Sequence, residues 1–235
     1  MTEAKITQEQ LQQLLERARP LDFNHAQLAK LDMRGADLVE ANLEGADLTR
    51  VNLEGAFLSR ANLQDAQLVE ANLQKAALDD AKLFWADLSG AVMHGAQMKG
   101  AKLASAILEK VIGHQVDLSQ ANLKKANVRG ADLRGTNFTE ANGREANLNN
   151  ADLRGAKLDG ADMMLAKMTG ANLSEASLQG AYLERVDFQK ANLQNANLRS
   201  TILVKANLTG ANLEGANLDD ADLRGATMPD GTKNA

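Results

Sequence analysis

The chain has 235 residues, a formal net charge of −5 at pH 7 and an isoelectric point near 5.3. It has no cysteine, which excludes disulfides and thiolate metal sites, and its mild acidity argues against wrapping nucleic acid. No stretch approaches the roughly 18 apolar residues of a membrane-spanning helix and the N-terminal stretch has no signal-like apolar region, so a cytoplasmic location is the expectation.

The first element in chain order is a short helix. Ile6 and Thr7, followed by Gln10, form the pattern of a hydrophobic staple with a capping box, and Pro20 is a stop signal. The apolar residues that would share one helical side are Leu11, Leu14, Leu15 and Ala18. We expect a capping α-helix over residues 8–18, lying over the start of the region that follows.

The second element is an uninterrupted array of pentapeptides. Forty-two of them run from Leu21 without insertion or deletion, as in ANLEG, ADLTR and ANLQK, and the last has Met228 in the Leu position. The chain therefore divides into an N-terminal segment (1–20), one array (21–228) and a short C-terminal tail (229–235). In the tail, Pro229 is unable to donate to a further strand.

The pentapeptide pattern predicts β-structure. Its first and third residues are apolar and its second is polar, which is the in, out, in alternation of a strand. An α-helix is excluded because, at about 100° per residue, leucines five apart would be spread over every side of it. Each repeat is predicted to be a three-residue strand followed by a two-residue corner. Glycine is common at the fifth position, where a type II turn requires a positive φ.

The tandem motif A(D/N)LXX resembles the pentapeptide repeat family over about nine-tenths of the chain. The resemblance implies an all-β solenoid: a right-handed quadrilateral β-helix of about ten coils, with four pentapeptides per coil and residues 20 apart stacked on one another. Coil 1 then begins at Leu21, and faces 1, 2, 3 and 4 begin at Leu21, Ala26, Leu31 and Ala36. Outward Asn and Asp side chains at the second positions are expected to form ladders along each face.

Two glycines occupy the position that is normally leucine. An unfilled hole of that size costs about 2 to 5 kcal/mol, so neighbouring side chains are expected to fill the space. For Gly113 the candidates are Val111, Val116 and Met93; for Gly143 the candidate is Phe138. Gly113→Leu is therefore expected to overpack the core.

His94 and His114 fall at the same outward position on adjacent coils, about 5 Å apart. Since no cysteine is present and no carboxylate lies in the same rows, we expect solvated histidines rather than a metal site. No catalytic motif occurs in the chain, and an array without insertions offers no loop to form a groove. Neither an enzyme nor a cofactor is expected.

Large apolar residues cluster at outward positions of face 1, and such a group predicts a protein interface. The candidate interface consists of Phe84, Trp85, Met164, Leu165, Tyr182, Ile202 and Val204. A partner protein of unknown identity or a second copy of the chain could bind there.

Face 4 carries a net charge of −5, equal to that of the whole chain. Its acidic residues are Asp37, Glu40, Asp79, Asp80, Asp117, Glu140, Asp159, Asp219 and Asp220. Ordinary solubility requires a net charge but not its segregation onto one face.

These features favour a non-enzymatic interaction rod that acts as an adaptor or scaffold. The rival hypothesis comes from the resemblance: some members mimic DNA, bind gyrase and protect it from quinolones, for which an acidic face would replace phosphate. A weaker third interpretation gives the basic residues of face 1 a role in binding nucleic acid or anionic lipid, but a solvated face is the preferred one. Those residues are Lys102, Lys124, Lys125 and Arg144.

Overall fold

The computed structural model describes residues 6–16 and 20–234 of the chain. Within those residues the one helix is α1, Gln8–Leu15, and it is not long and apolar enough to cross a bilayer. The array forms parallel bridges between second-position residues 20 apart, from Asp22 with Asn42 to Asn207 with Thr227. A period of 20 means four pentapeptides per coil, as predicted.

The extended part of each repeat is shorter than predicted. Every second-position residue forms an isolated bridge rather than the centre of a three-residue strand. Asn42 donates its N–H to Leu21 O of the preceding coil (2.8 Å), and Leu43 donates to Asn62 O of the next (2.7 Å). The turn then begins at the fourth position and closes with a bond from Ala46 N to Leu43 O (3.1 Å). The corner therefore interrupts the ladder before a second bridge can form.

The interior is filled by the first and third residues of the repeats, as the alternation predicted. Ala41 and Leu43 are fully buried, and the same holds for nearly all their equivalents from coil 2 to coil 10. Two threonines replace alanine inside the rod. Thr136 Oγ1 donates to Gly113 O (3.0 Å) and Thr201 Oγ1 to Leu198 O (2.7 Å), so neither buried hydroxyl lacks a partner.

The corners all have the same backbone conformation. Every fifth-position residue from His25 to Gly225 has a positive φ, whether or not it is glycine. A positive φ at the third residue of a four-residue turn is the feature of a type II turn. Since a side chain at this conformation costs about 1 to 2 kcal/mol, each non-glycine corner carries a backbone cost that glycine would avoid.

The second-position side chains form the predicted ladders. Asn72 Nδ2 donates to Asn52 Oδ1 on the preceding coil (3.0 Å), and Asn192 Nδ2 donates to Asn172 Oδ1 in the same way (3.2 Å). The same oxygen atoms also accept the N–H two residues on, as Asn72 Oδ1 does from Gln74 N (3.2 Å). An Asn or Asp at this position therefore stabilises both its own turn and the stacking of coils.

Helix α1 covers the N-terminal end of the rod. The predicted capping box is present, with Gln10 N donating to Thr7 Oγ1 (3.2 Å) and Thr7 N to Gln10 Oε1 (2.9 Å). The predicted end at residue 18 was wrong: the helix ends at Leu15 with Glu16 as C-cap, while residues 17–19, including Ala18, lie outside the described residues.

A side-chain amide of α1 takes the place of a strand on the first coil. Gln8 Nε2 donates to Asp32 O (2.7 Å) and Gln8 Oε1 accepts from Asp32 N (2.9 Å). Leu11 is fully buried against the same end. The helix therefore covers apolar area and also satisfies backbone groups that an open solenoid end would leave unpaired.

At the other end the tail turns back on the last coil. Lys233 pairs antiparallel with Thr227, and Asn234 N donates to Ala226 O (2.9 Å). The Asn234 amide also donates to Leu223 O (3.1 Å). Pro229 thus marks the point where parallel stacking stops, as predicted, but the residues after it continue to pair with the rod.

The two glycines at leucine positions are required for space rather than for backbone conformation, since neither has a positive φ. A Cβ at Gly113 would lie 2.8 Å from Met93 Cγ, 2.9 Å from Val116 Cγ2 and 3.1 Å from Leu133 Cδ2. Met93 and Val116 were expected there, and Leu133 on the next coil also approaches the site.

The space beside Gly143 is filled mainly by the end of the Met163 side chain, one coil later, and not by Phe138 as predicted. Phe138 lines the same void, which is too small to hold a water molecule. The unbranched methionine reaches further into the gap because it has more rotatable bonds than the aromatic ring.

Adding a methyl group at these two sites should have different effects. Gly113→Ala meets a mid-chain methionine carbon and two branched side chains, so overpacking should cost about 1 to 3 kcal/mol. Gly143→Ala meets only the flexible end of Met163 and should cost less. Denaturant midpoints of the two variants test this. A Gly113→Ala protein at least as stable as the wild type would show that the space is empty.

Candidate functional site

The candidate interface on face 1 lies at the surface, in two groups. Trp85, Leu165 and Tyr182 are exposed, with 56%, 43% and 49% of their surface accessible. The other four members are half-buried: Phe84, Met164, Ile202 and Val204. We call the pair on coil 4 the aromatic pair (Phe84 and Trp85) and the group on coils 8 to 10 the apolar cluster (Met164, Leu165, Tyr182, Ile202 and Val204).

The backbone places the apolar cluster in one continuous patch. Tyr182 and Ile202 form a bridge on adjacent coils, so their side chains lie side by side on the same face. Met164 packs at its sulfur against the guanidinium of Arg144, whose Nη1 is 3.1 Å from Met164 Sδ. In the aromatic pair the ring centroids of Phe84 and Trp85 are 6.0 Å apart. The residues of each group therefore lie on the same coil or on adjacent coils, while four coils separate Trp85 from Leu165.

Trp85 and Leu165 have an unusual backbone conformation for large apolar residues. Both are corner residues, with φ of 57° and 61°. All other non-glycine corner residues from His25 to Asp220 are polar or charged. A bulky residue in the left-handed region is strained, and these two also expose apolar surface to water. Both residues lie on face 1, so backbone strain and exposed apolar surface occur together on that face.

Basic side chains lie on the coil of the aromatic pair and on the two coils that follow it. Lys82 and Lys102 form a bridge on adjacent coils, and neither they nor Lys124 has an ion-pair partner within 4.0 Å among the described residues. Two other basic residues of face 1 do have partners: Lys125 Nζ is 3.6 Å from Glu145, and Arg144 Nη1 is 3.0 Å from Asp162. Three of the four lysines of face 1 that have no ion pair among the described residues therefore lie on coils 4 to 6, and the fourth, Lys205, lies on coil 10.

Many acidic residues of face 4 are engaged in the fold. Asp79 Oδ1 accepts Lys99 N (2.9 Å) and Asp159 Oδ1 accepts Gln179 N (3.0 Å), in each case from the next coil. Asp117 Oδ1 accepts from Asn137 Nδ2 (3.0 Å). These carboxylates stabilise the stacking of coils in addition to charging the surface.

Side chains also satisfy several of the remaining acids of face 4. Glu40 pairs with Arg60 at 2.8 Å, and Asp220 lies 3.6 Å from Arg199. Glu140 accepts a hydrogen bond from Gln120 Nε2 (3.0 Å). Asp37 accepts from Val39 N (3.2 Å), while Asp80 and Asp219 are exposed corner and turn residues on the same face.

The two histidines stack as predicted, with ring centroids 4.5 Å apart and His114 N donating to His94 Nδ1 (3.1 Å). We expected solvated histidines because no carboxylate was found in the same rows, but a carboxylate of the neighbouring row contacts His114. His114 Nε2 is 2.8 Å from Asp132 Oδ2 and 2.7 Å from Arg134 Nη2. A fourth-position residue lies beside the second-position residue 18 further on, so an offset of 18, and not only of 20, would have revealed this contact.

Asp132 is the centre of that cluster. Arg134 binds both of its oxygens, with Nε to Oδ1 and Nη2 to Oδ2 each at 2.8 Å. Arg134 first, and then the hydrogen bond from His114, hold the pKa of Asp132 well below its ordinary value near 3.8. Across the described residues no group of three or more His, Asp or Glu has a geometry that could hold a metal ion.

Sequence reasoning missed one exposed aromatic residue and gave no role to two exposed isoleucines. Phe57 on face 4 is 53% exposed, Ile107 on face 2 is 37% exposed and Ile112 on face 3 is 41% exposed. Each lies on a different face, at a second position where Asn or Asp is more common. Single exposed apolar residues need no function, and Phe57 serves below as a control.

The sequence matches the family model for pentapeptide repeats in eight copies. The matched residues are 21–55, 46–83, 78–112, 114–139, 129–164, 166–203 and 191–228. A comparison with curated protein sequences found no match.

Several solved structures are similar to the chain. HetL, a pentapeptide repeat protein involved in heterocyst differentiation regulation from the cyanobacterium Nostoc sp. strain PCC 7120, is 35% identical over 90% of this chain and 93% of its own, with a TM-score of 0.59. Rfr23 from the cyanobacterium Cyanothece 51142 is 30% identical over 46% and 91%, with a TM-score of 0.39. QnrB1, a plasmid-mediated fluoroquinolone resistance protein, is 20% identical over 75% and 93%, with a TM-score of 0.34.

If Leu165 does not support the fold, replacing it with glycine should relieve the strained corner without loss of stability. We expect Leu165→Gly to change the free energy of unfolding by the same amount, within about 0.5 kcal/mol, as Lys75→Gly. Lys75 is a matched corner residue of face 3 with φ of 56°. Urea unfolding of both variants measures the difference. A clearly larger loss for Leu165→Gly would show that its side chain stabilises the rod.

The cluster around Asp132 predicts a pH dependence of stability. Because the pKa of Asp132 is lower in the folded chain, its contribution is complete above the unfolded value near 3.8 and is lost as the pH falls through the folded pKa. The stability advantage of the wild type over Asp132→Asn should therefore shrink as the pH is lowered from 5 towards 2. Denaturant unfolding at each pH measures it, and parallel profiles for the two proteins would contradict the assignment.

Proposed function

Because this chain belongs to the pentapeptide repeat family, whose fold is the right-handed quadrilateral β-helix, we propose that it is a non-enzymatic rod that binds a protein partner through face 1. The apolar cluster and the aromatic pair are the contact surface. The rod is rigid because hydrogen bonds join every coil to the next, so it presents its side chains in a fixed arrangement and needs little reorganisation on binding.

The observation that carries this proposal is the pair of strained apolar corners. The fold gains nothing visible from Trp85 or Leu165, since glycine occupies the equivalent corner of fifteen other repeats with the same φ. Strained, exposed positions that the fold does not require are concentrated at functional sites. Tyr and Trp are also the residues that contribute most binding energy at interfaces, through large rigid contact areas.

The similarity to HetL supports a binding role. That protein is 35% identical over nine-tenths of this chain and takes part in the regulation of heterocyst differentiation. A regulatory role of this kind is compatible with a rod that acts by occupying a partner. The cytoplasmic location expected from the sequence is compatible with such a role and stays part of the proposal.

A second candidate function rests on face 4. A net charge of −5 on one face could occupy a basic DNA-binding surface, as in the gyrase-binding hypothesis. It stands second because Asp79, Asp159 and Asp117 bind within the fold and because Glu40 and Asp220 face arginines. A gyrase supercoiling assay with a quinolone tests it: protection by the wild type that Asp80→Asn with Asp219→Asn abolishes would favour face 4 over face 1.

The binding role of face 1 is tested with variants that spare the fold. The wild type, the double variant Leu165→Gly with Tyr182→Ser, and the control Phe57→Ser are each used to capture proteins from the organism that encodes the chain. The candidate partner is then purified and its affinity for each protein is measured by calorimetry. We expect the double variant to bind at least tenfold more weakly, since about 1.4 kcal/mol corresponds to a factor of ten.

A control variant and the oligomeric state are measured in the same experiment. Phe57→Ser removes a similarly exposed aromatic side chain from face 4 and should leave the affinity unchanged. Light scattering is run in parallel, and a wild-type dimer that the double variant splits would identify the partner as a second copy of the chain. Equal affinity of the double variant and the control for the purified partner would overturn the assignment to face 1.

A further inference from the structure

The charge of face 1 indicates what kind of partner it fits. Between coils 4 and 10 this face carries seven basic and three acidic side chains, although the whole chain has a net charge of −5. The basic residues are Lys82, Lys102, Lys124, Lys125, Arg144, Arg185 and Lys205, and the acidic ones are Glu145, Asp162 and Glu184. Basic side chains thus surround the apolar surface, although the molecule as a whole is acidic.

Four of the five lysines on this part of face 1 have no ion-pair partner among the described residues. Three of them lie near the aromatic pair, Lys82 on the same coil and Lys102 and Lys124 on the next two coils, while Lys205 lies on coil 10. Lys82 and Lys102 are bridge partners on adjacent coils, where like charges repel. Asparagine at either position would continue the ladder that the fold uses elsewhere. Their positive charge is therefore available to a ligand.

The spacing of the apolar groups gives the length of the ligand. Trp85 and Leu165 are equivalent corner residues 80 residues apart, which is four coils, or about 19 Å at about 4.8 Å per coil. A helix rises about 1.5 Å per residue, so about 13 residues of an α-helix would join the two anchors. The bridge residue of a repeat and its two neighbours span about 10 Å at about 3.3 Å per residue, similar to the diameter of a helix with its side chains.

Addition of a β-strand to this face is not favoured. The backbone N–H groups of face 1 are already used between coils; Leu83 N donates to Lys102 O (2.9 Å) and Lys102 N to Ala81 O (2.9 Å). A ligand must therefore recognise side chains. An amphipathic helix does this with apolar residues at helical spacing on one side.

We propose, on the premise that face 1 is the docking face, that the partner presents an acidic amphipathic helix lying along the rod axis. Apolar anchors at the two ends of that helix contact the aromatic pair and the apolar cluster. A carboxylate beside the first anchor pairs with Lys82, and carboxylates between the anchors pair with Lys102 and Lys124. The charge complementarity adds to the association rate and to the choice of partner, while the apolar anchors supply most of the affinity.

The proposal is tested with a designed probe and the full chain. The probe is a fluorescein-labelled helical peptide whose Leu and Trp anchors are about 14 residues apart, because about four whole turns of about 3.6 residues return to the same side of the helix and cover about 21 Å. Glu residues occupy the same side between the anchors, and a matched peptide has Gln in place of every Glu. Fluorescence anisotropy should show at least tenfold tighter binding of the Glu peptide at low salt, and the difference should shrink in 0.5 M NaCl. Equal binding of the two peptides, or none, overturns the proposal.

Matched lysine variants test whether the positive charge that binds the Glu peptide lies on face 1. Lys102→Asn with Lys124→Gln should weaken binding of the Glu peptide at least tenfold without affecting folding, because it relieves the repulsion of Lys102 with Lys82. The control Lys75→Gln with Lys190→Gln removes the same charge from corners of faces 3 and 2 and should leave binding unchanged. Similar weakening by both pairs would show a general charge effect and contradict a docking site on face 1.

Two further measurements distinguish a wrong ligand, the acidic helix, from a wrong docking surface, face 1. If the captured partner loses affinity with Leu165→Gly and Tyr182→Ser but not with the lysine variants, face 1 is the docking face and the acidic helix is wrong. If neither pair matters, both fail. Vesicles of phosphatidylglycerol with phosphatidylcholine and a 20-base-pair DNA duplex are titrated alongside. Tighter binding of either than of the Glu peptide would replace the acidic helix with a phosphate-bearing ligand.

Discussion

The hydrogen bonds between coils are the constraint on which the rest of the structure depends. The N–H of each second position bonds to the first-position carbonyl of the preceding coil, as Asn62 N does to Ala41 O (2.9 Å). This register fixes each coil at four pentapeptides and forces a corner at the end of every pentapeptide. It also leaves only the first and third side chains inside. Ala and Leu then follow from the narrow space between facing backbones, and the positive φ of each corner follows from the tight turn.

The same register gives each face a different role, because outward side chains at equivalent positions of adjacent coils are always neighbours. On face 4, carboxylates such as Asp79 and Asp159 accept backbone N–H groups of the next coil. On face 3, Asp132 holds Arg134 and His114 in a charged cluster. On face 1, Trp85 and Leu165 raise the free-energy cost of the turn relative to glycine, and they expose apolar surface. Face 1 is therefore where side-chain choice departs furthest from what the fold requires.

The coil, the buried positions, the Asn ladders and the capping box were predictable from the sequence because they depend on period, side-chain size and local hydrogen bonding. Other features depend on where a side chain reaches in space. Gln8 bonding to Asp32, Met163 rather than Phe138 beside Gly143, and Asp132 against His114 are of this kind. The candidate site followed from assigning residues to faces, but its most informative feature, the positive φ of Trp85 and Leu165, required the backbone.

The most direct measurement of whether face 1 is the docking surface is hydroxyl-radical footprinting of the unmodified chain with and without its partner. Trp85, Met164 and Tyr182 are oxidised readily when exposed, and Phe57 on face 4 serves as an internal reference with 53% of its surface accessible. We expect the partner to lower the oxidation rates of Trp85, Met164 and Tyr182 and to leave that of Phe57 unchanged. Protection of Phe57 with no change in the oxidation of the face 1 residues would contradict binding through face 1.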